Sequence, residues 1–280
     1  MNISIVFTSE AKRHQAYTDM VQLLQQELTH DASNYLSDES PDIIHVFGSF
    51  DMETRSLLSR YRALRIPTVL TVCNALDAYT RHSPDIKQGH LHLLRRQTLM
   101  KASAIMAVGE IESTALQTSA GKMAIRIIAN AAVTSTTTAH EMAAQMLKMY
   151  IDTIKRHDAD VQHSITRTLQ RTHTQGNNPV RQMCALLLYA RYLNIRGQLT
   201  PTRLEQTARL LIATSYDEAL LAQLLSKLHI KTFTAQLLTL MEEKELITEG
   251  FMPIPQAHRP LRLNVINTSA KCKAAPKHEE

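Results

Sequence analysis

The sequence predicts an α/β protein, in which a parallel sheet flanked by helices is followed by a smaller all-α domain. Four short runs rich in Ile and Val follow one another in the first half of the chain, at 41–48, 66–73, 104–110 and 125–130. Strands that are buried on both faces have such continuous apolar runs, and segments with helical spacing lie between them. From about Asp158 onwards this alternation gives way to helical segments rich in Leu and Arg.

A fifth apolar run, at 2–7, predicts the first strand, which we expect at the centre of the sheet. The helix that follows is predicted over roughly 10–28, with an apolar stripe formed by Tyr17, Met20, Val21, Leu24 and Leu28. The connector at 30–40 is polar and short. A helix is predicted after the second run, over 51–64.

Ligands of parallel sheets bind beyond the carboxyl ends of the strands. The candidate ligand-binding pocket therefore consists of Thr8, Ser9, Gly48, Cys73, Asn74, Gly109, Glu110 and Asn130. Structural roles compete for several of these positions, since a Thr or Ser caps a helix and a carboxylate at a helix N-terminus is favoured by the macrodipole. His45 lies inside a strand and is interpreted as a packed histidine. We assign no catalytic residue.

Composition narrows the class of protein further. The chain has 280 residues, of which 44% are hydrophobic, enough for one large domain or two modest ones. Cys73, Cys184 and Cys272 are too far apart for a CxxC metal pair and give no disulfide framework, which fits a reducing cytoplasm. His90 and His92 would diverge on a helix, so we expect no metal and no cofactor. No run approaches the roughly 18 apolar residues of a membrane span.

Four motifs resemble, in the same order, those of a known family. They are DIIHVFG at 42–48, IPTVLTVC at 66–73, SAIMAVGE at 103–110 and IRIIANA at 125–131. They resemble the N-terminal, Rossmann-like half of GT-B glycosyltransferases of the family-4 type, where the strands read DIIHVHG, IPVVxTxH, xxIIAVSE and IxxIPNG. The run AHEMAAQMLKMY, which begins a predicted helix at 139–155, resembles the last helix of that family, which returns onto the N-terminal domain.

The resemblance also implies what the chain lacks. A complete family member continues with a second Rossmann domain, which holds the nucleotide sugar with an E-x7-E motif and an Arg/Lys pair. Here the sequence passes from Asn130 almost directly to the returning helix. The glycine-rich first turn of the family is replaced by Thr8-Ser9-Glu10-Ala11, and its histidine after the third strand by Cys73. Autonomous glycosyl transfer is therefore not expected, and the domain has the character of a pseudoenzyme.

The sequence divides into a glycosyltransferase-like domain at 1–157, a helical domain at 158–255 and an extended basic tail at 256–280. In the helical domain, Pro179, Thr200 with Pro201, and Asp217 are predicted helix starts. The pattern at 217–252 is similar to a winged helix, in which 231–239 would read DNA. The carboxylates that follow would repel phosphates, which favours a protein-interaction module; they are Glu242, Glu243 and Glu245.

Two functions remain open from the sequence. The preferred prediction is a cytoplasmic, non-catalytic or partner-dependent component of glycan or polysaccharide biosynthesis, with a protein partner that supplies the donor domain. The alternative is a transcriptional regulator or an interaction scaffold with a winged-helix-like C-terminal domain. The net charge of +5 and the pI near 9.1 are compatible with nucleic acid or acidic polymers as partners, and equally with a solvated basic surface.

Overall fold

The computed structural model describes residues 1–30, 36–37, 39–73, 87–121, 123–171, 179–248, 254 and 257–266. It confirms the predicted α/β class, with a five-stranded parallel sheet in the first half and further helices after it. The chain forms two compact units, one containing Met1–His157 and Ile266, the other Asp158–Val265. The second unit thus extends ten residues beyond 255, where the sequence placed the end of the helical domain.

The sheet of the first unit runs in simple sequential order. Its strands are β1 (Ile3–Phe7), β2 (Ile43–Gly48), β3 (Thr68–Val72), β4 (Ala104–Ala107) and β5 (Ile125–Ile127), and all neighbours are parallel. The prediction that β1 is central is wrong, because β1 is the first strand in the order and, among the described residues, pairs with β2 and has one isolated bridge to Leu36. A full parallel neighbour there would need its own crossover helix, for which the connector of about a dozen residues before β2 is too short.

Helices cover both faces of this sheet. They are α1 (Gln15–His30), α2 (Met52–Ala63), α3 (Lys87–Leu99), α4 (Glu110–Ala120) and α5 (Ala139–Gln170), and a 3-10 turn at Ala11–Arg13 precedes α1. The strands alternate between the two faces: Ile43 and Phe47 of β2 pack with α1 and α5, whereas Ile44 and Val46 pack with α2, α3 and α4. The whole predicted stripe of α1 is buried.

Helix α5 returns onto the face that α1 also covers. A capping box starts it, in which Glu141 accepts from the Thr138 N–H at 2.9 Å and Thr138 Oγ1 accepts from the Glu141 N–H at 3.2 Å. The helix does not end at 155 as predicted but continues to Gln170. Its later residues lack Gly and Pro, and their apolar positions pack into the core of the second unit; they are Val161, Ile165 and Leu169.

A buried polar network joins α5 to the strands. The His45 ring, fully buried, has Nδ1 at 2.7 Å from the Tyr150 hydroxyl and Nε2 at 2.8 Å from the Thr71 hydroxyl. The ring also stacks on Phe47, with centroids 4.2 Å apart. Burial lowers the pKa of His45 from its ordinary value of 6.5 to about 3, so the ring is neutral near pH 7. This burial agrees with the interpretation of His45 as a packed residue.

The second unit contains the end of α5 and four further helices, and no strand occurs in its described residues. These helices are α6 (Pro179–Ile195), α7 (Pro201–Ala213), α8 (Glu218–Lys227) and α9 (Lys231–Glu243). The predicted helix starts are confirmed: Pro179 opens α6, Thr200 caps α7, and the Asp217 carboxylate accepts from the Leu220 N–H at 2.9 Å. Of the helices described in either unit, none is both long and apolar enough to cross a bilayer.

The described part of the predicted tail packs on the protein. The Leu261 N–H donates to the Gln236 carbonyl at 2.9 Å, and the Asn264 N–H donates to the Asn194 side chain at 3.2 Å. Ile266 belongs to the first unit, where it is buried against the face covered by α2, α3 and α4. Residues 257–266 are therefore extended but are not a free tail.

The buried histidine predicts a pH dependence of stability. The unfolded chain protonates His45 near pH 6.5, whereas the native chain does not until about pH 3, so the free energy of unfolding falls as pH decreases between these values. The slope is about 1.4 kcal/mol per pH unit. His45→Gln removes the titration but keeps an amide for both hydroxyls. Urea denaturation followed by circular dichroism should show wild type losing about 1.6 kcal/mol more than His45→Gln from pH 6.5 to 5, less than the full slope gives because the unfolded histidine is half protonated at pH 6.5. An equal loss of unfolding free energy in the two proteins over this pH range would contradict the prediction.

Candidate functional site

All five strands point the same way, so the candidate residues that follow them lie at one edge of the sheet, the carboxyl edge. Seven of the eight candidates are described, and Asn74 lies outside the described residues. Four of the seven are buried: Thr8, Gly48, Cys73 and Asn130. Ser9 and Glu110 are exposed, and Gly109 is partly exposed. The structure thus brings the candidates to one edge but turns most of them inward.

The first turn of the fold holds a carboxylate of the protein itself. The Ser9 N–H donates to Glu53 Oε2 at 3.0 Å, and the Ser9 hydroxyl is 3.4 Å from Glu53 Oε1. Thr8 is buried, and its Oγ1 accepts from the Ala11 N–H at 3.4 Å, which caps the short 3-10 turn. Because Glu53 already occupies the donors of this turn, an anionic phosphate would meet a like charge there.

Gly48 has a packing role at the end of β2. A β-carbon at this position would overlap the side-chain oxygen of Thr54, which is fully buried. Thr54 Oγ1 accepts from the Ser49 N–H at 3.1 Å, and the Gly48 carbonyl accepts from the Cys73 N–H at 2.7 Å. The glycine therefore allows α2 to approach β2 closely, and the approach of a ligand is not needed to explain it.

Cys73 lies in a buried cluster of titratable groups with Tyr17 and Glu112. Burial, followed by the negative charge of Glu112, raises the pKa of Cys73 from 9.0 to about 12. Glu112 is only 7% exposed, and its two oxygens accept from the Tyr17 hydroxyl at 2.9 Å and the Val108 N–H at 2.8 Å. Burial and then Glu112 also raise the pKa of Tyr17 above its ordinary value. The thiol is thus protonated and shielded, which is the opposite of an activated nucleophile.

Glu112 is the residue that the sequence reasoning missed. The family motif pointed to Glu110, which is exposed in the first turn of α4. The signal that identifies Glu112 is helical spacing, since 112, 116 and 120 recur every four residues and Leu116 and Ala120 are buried. A carboxylate in line with two apolar residues near a helix N-terminus predicts a buried, hydrogen-bonded acid.

The remaining candidates end β4 and β5. Gly109 is the N-cap of α4 in extended conformation, and a β-carbon there would meet open space. Asn130 is buried, and its amide donates to the Ala16 carbonyl at 2.9 Å while its Oδ1 accepts from the Ala132 N–H at 2.9 Å. These hydrogen bonds link the end of β5 to α1, so the side-chain amide of Asn130 already has partners within the domain.

The chemistry available at the carboxyl edge is limited. Three described carboxylates lie near the candidates, namely Glu53, Glu110 and Glu112, and an anionic diphosphate would meet their charge. The nearby described cations are already engaged in part, since Arg13 pairs with Glu10 and Arg95 lies over the Phe50 ring. Within the described ranges, no group of three or more His, Cys, Asp or Glu side chains is placed to hold a metal ion. No protein-family model, curated protein or solved structure matches the chain. The fold and the site together define a parallel α/β domain whose strand-end polar groups serve its own structure.

This environment predicts an unreactive Cys73. A pKa of about 12 reduces the thiolate fraction at neutral pH by about 10³ relative to the ordinary thiol, and burial blocks the reagent. Iodoacetamide labelling followed by peptide mass spectrometry should therefore modify Cys73 at least about 10³-fold faster in urea than in the native protein. Glu112→Gln removes the smaller cause only, so native labelling should remain slow. Native labelling within tenfold of the unfolded rate would contradict the buried assignment.

Proposed function

We propose that this protein is a glycosyltransferase-like component of glycan or polysaccharide assembly that does not transfer sugar by itself. The observation that carries the proposal is the return of α5 onto the sheet. Only eleven residues separate β5 from α5, and α5 then buries Met142, Met146 and Tyr150 against the sheet face. The described residues thus contain one parallel sheet with its covering helix and no second sheet in between, which supports a domain that corresponds to the acceptor half alone.

The carboxyl edge supports a non-catalytic or partner-dependent role. Sugar transfer from a nucleotide donor needs positive groups to stabilise the departing diphosphate. At this edge the first turn is occupied by Glu53, and the position of the family histidine holds the buried Cys73. A partner chain that carries a donor domain would have to supply the missing positive charges. No cofactor of its own is needed in this proposal.

Exposed apolar side chains lie where such a partner would approach. Met52 at the start of α2, Ile111 at the start of α4 and Val133 after β5 are 70%, 72% and 67% exposed. Each follows the carboxyl end of a strand, so all three belong to the carboxyl edge. In this proposal these three side chains belong to the surface that the partner covers.

The proposal predicts no response that is specific to donor nucleotides. A ligand at 100 times its dissociation constant stabilises a protein by about 2.7 kcal/mol, which a thermal shift detects readily. UDP-glucose and GDP-mannose at millimolar concentration should shift the melting temperature no further than an equal concentration of pyrophosphate does, to within about 1 °C, because the described residues contain no clamp for a donor diphosphate at the carboxyl edge. A complete two-domain glycosyltransferase serves as the positive control. Saturable stabilisation by either nucleotide sugar beyond that given by pyrophosphate would overturn the proposal.

A second candidate function, a DNA-binding regulator, is favoured by one observation in the second unit. Helices α8 and α9 are separated by only three residues, with His229 at φ 54° in the left-handed region, as in a helix-turn-helix. However, much of α9 is buried, and its buried residues are Thr234, Ala235, Leu237, Leu238, Leu240 and Met241. The Leu261 N–H also donates to the Gln236 carbonyl of this helix. A helix so covered presents few side chains to a DNA groove.

Duplex DNA distinguishes the two functions. The glycosyltransferase-like proposal predicts no mobility shift of a random-sequence duplex by micromolar protein at about 0.15 M salt. A shift that weakens with salt and disappears in Lys231→Ala with Arg209→Ala, but persists in Lys155→Ala with Arg156→Ala, would instead establish the regulator. Lys155 and Arg156 are exposed on α5 and control for the loss of two positive charges.

A further inference from the structure

A groove lies at the opposite edge of the sheet from the candidate site. It has a volume of about 520 Å³ and is lined by Ser59, Arg62, Ala63, Arg65 and Lys101. The first four residues end α2 and precede β3, and Lys101 follows α3 and precedes β4. The groove is therefore at the amino edge, where the strands begin, and its properties are independent of the function proposed above.

Lys101 is held in the groove by a hydrogen bond. Its ammonium group donates to Ser59 Oγ, and the Ser59 hydroxyl in turn donates to the Arg55 carbonyl at 2.7 Å. An ammonium group has three N–H donors, and Ser59 accepts from one of them. The bond thus holds the Lys101 ammonium group, which follows α3, against α2. Its two other N–H groups can donate to a further acceptor.

Arg65 occupies a conformation that other residue types adopt more easily. Its φ of 59° lies in the left-handed region, at the position after a helix where Gly or Asn is usual. Its N–H donates to the Arg62 carbonyl at 3.0 Å, and the next N–H, of Ile66, donates to the Tyr61 carbonyl at 3.0 Å, which completes the end of α2. A glycine would do this without strain, so the end of the helix does not explain the guanidinium.

The groove carries more positive charge than is needed to offset the partial negative charges at the C-termini of α2 and α3. Each helix C-terminus carries about −0.5 charge. Arg60 and Arg62 lie in the last turn of α2 and Arg96 in the last turn of α3, and one full charge is enough to offset each end. In the described part of the chain, none of the three groove cations is within 4.0 Å of a carboxylate; they are Arg62, Arg65 and Lys101. The carboxylate of α2, Glu53, lies in its first turn, about 13 Å along the helix axis from Arg62.

We propose that this groove binds the phosphate group of a small phosphate ester. Two guanidinium groups and a fixed ammonium group match the oxygens of a phosphate dianion, the guanidinium groups through paired N–H donors and the ammonium group as a point charge. The groove is open to solvent, and Arg62 and Arg65 are exposed, so the rest of an ester or a second phosphate group can extend out of it. The charge on the groove and the strain at Arg65 then have one explanation.

The first test measures pyrophosphate binding to the full chain by isothermal titration calorimetry at about 0.15 M salt. Arg62→Gln with Arg65→Gln should weaken binding at least about tenfold, because both guanidinium groups bond the same anion. Arg167→Gln with Arg171→Gln removes the same charge from exposed positions in the second unit and should change binding by less than about twofold. Absence of saturable heat with wild type, or equal weakening in both double variants, would overturn the proposal.

The second test separates binding from a structural role of Arg65. Arg65→Gly removes the left-handed strain and should raise the melting temperature by about 2–4 °C, while pyrophosphate binding weakens at least about fivefold. If Arg65 only terminates α2, the same substitution leaves pyrophosphate binding unchanged. Pyrophosphate binding that is unaffected by Arg65→Gly therefore contradicts the proposed site, whatever the change in stability.

Discussion

A parallel sheet has to be covered on both faces, and in this protein one of the two coverings depends on α5. Along its first five turns this helix buries Met142, Met146, Met149 and Tyr150 on the face that contains Phe47. Burial of side chains of this size contributes about 1.5–3 kcal/mol each, or about 6–12 kcal/mol for the four. That is comparable with the whole stability of a typical domain. The hydrogen bond between Tyr150 and His45 then fixes the position of the helix over β2 and β3.

The polar side chains at the carboxyl edge also serve to hold the domain together. Polar groups that could serve a ligand in another parallel α/β protein are bonded internally here. Asn130 joins β5 to α1, Glu112 accepts from Tyr17 and from the backbone of the β4 end, and Glu53 holds the first turn. The edge thus keeps the form of a ligand site while its hydrogen-bonding capacity stabilises the domain, which is why the proposed role rests on a partner.

The sequence was sufficient where a signal is local. The Ile and Val runs located β2 and β3, the apolar spacing identified the buried face of α1, and capping residues located the starts of α7 and α8. Strand order was not predictable in this way, because the edge position of β1 depends on the length of a connector rather than on β1 itself. The partner of Glu112 was likewise not predictable, although helical spacing indicates that this residue is buried, because Tyr17 lies 95 positions away in the chain.

The two edges of the sheet also differ in charge, in a sense opposite to the usual one. Helix N-termini at the carboxyl edge of a parallel sheet carry about +0.5 charge each and generally favour anions. Here Glu53 lies in the first turn of α2, and Glu110 and Glu112 lie in the first turn of α4, so full negative charges outweigh these partial ones. The amino edge, with its helix C-termini, carries the surplus of Arg and Lys instead. This surplus favours an anionic ligand at the amino edge in the proposed groove, whereas at the carboxyl edge Lys12, Arg13 and Arg95 offset the carboxylates only in part.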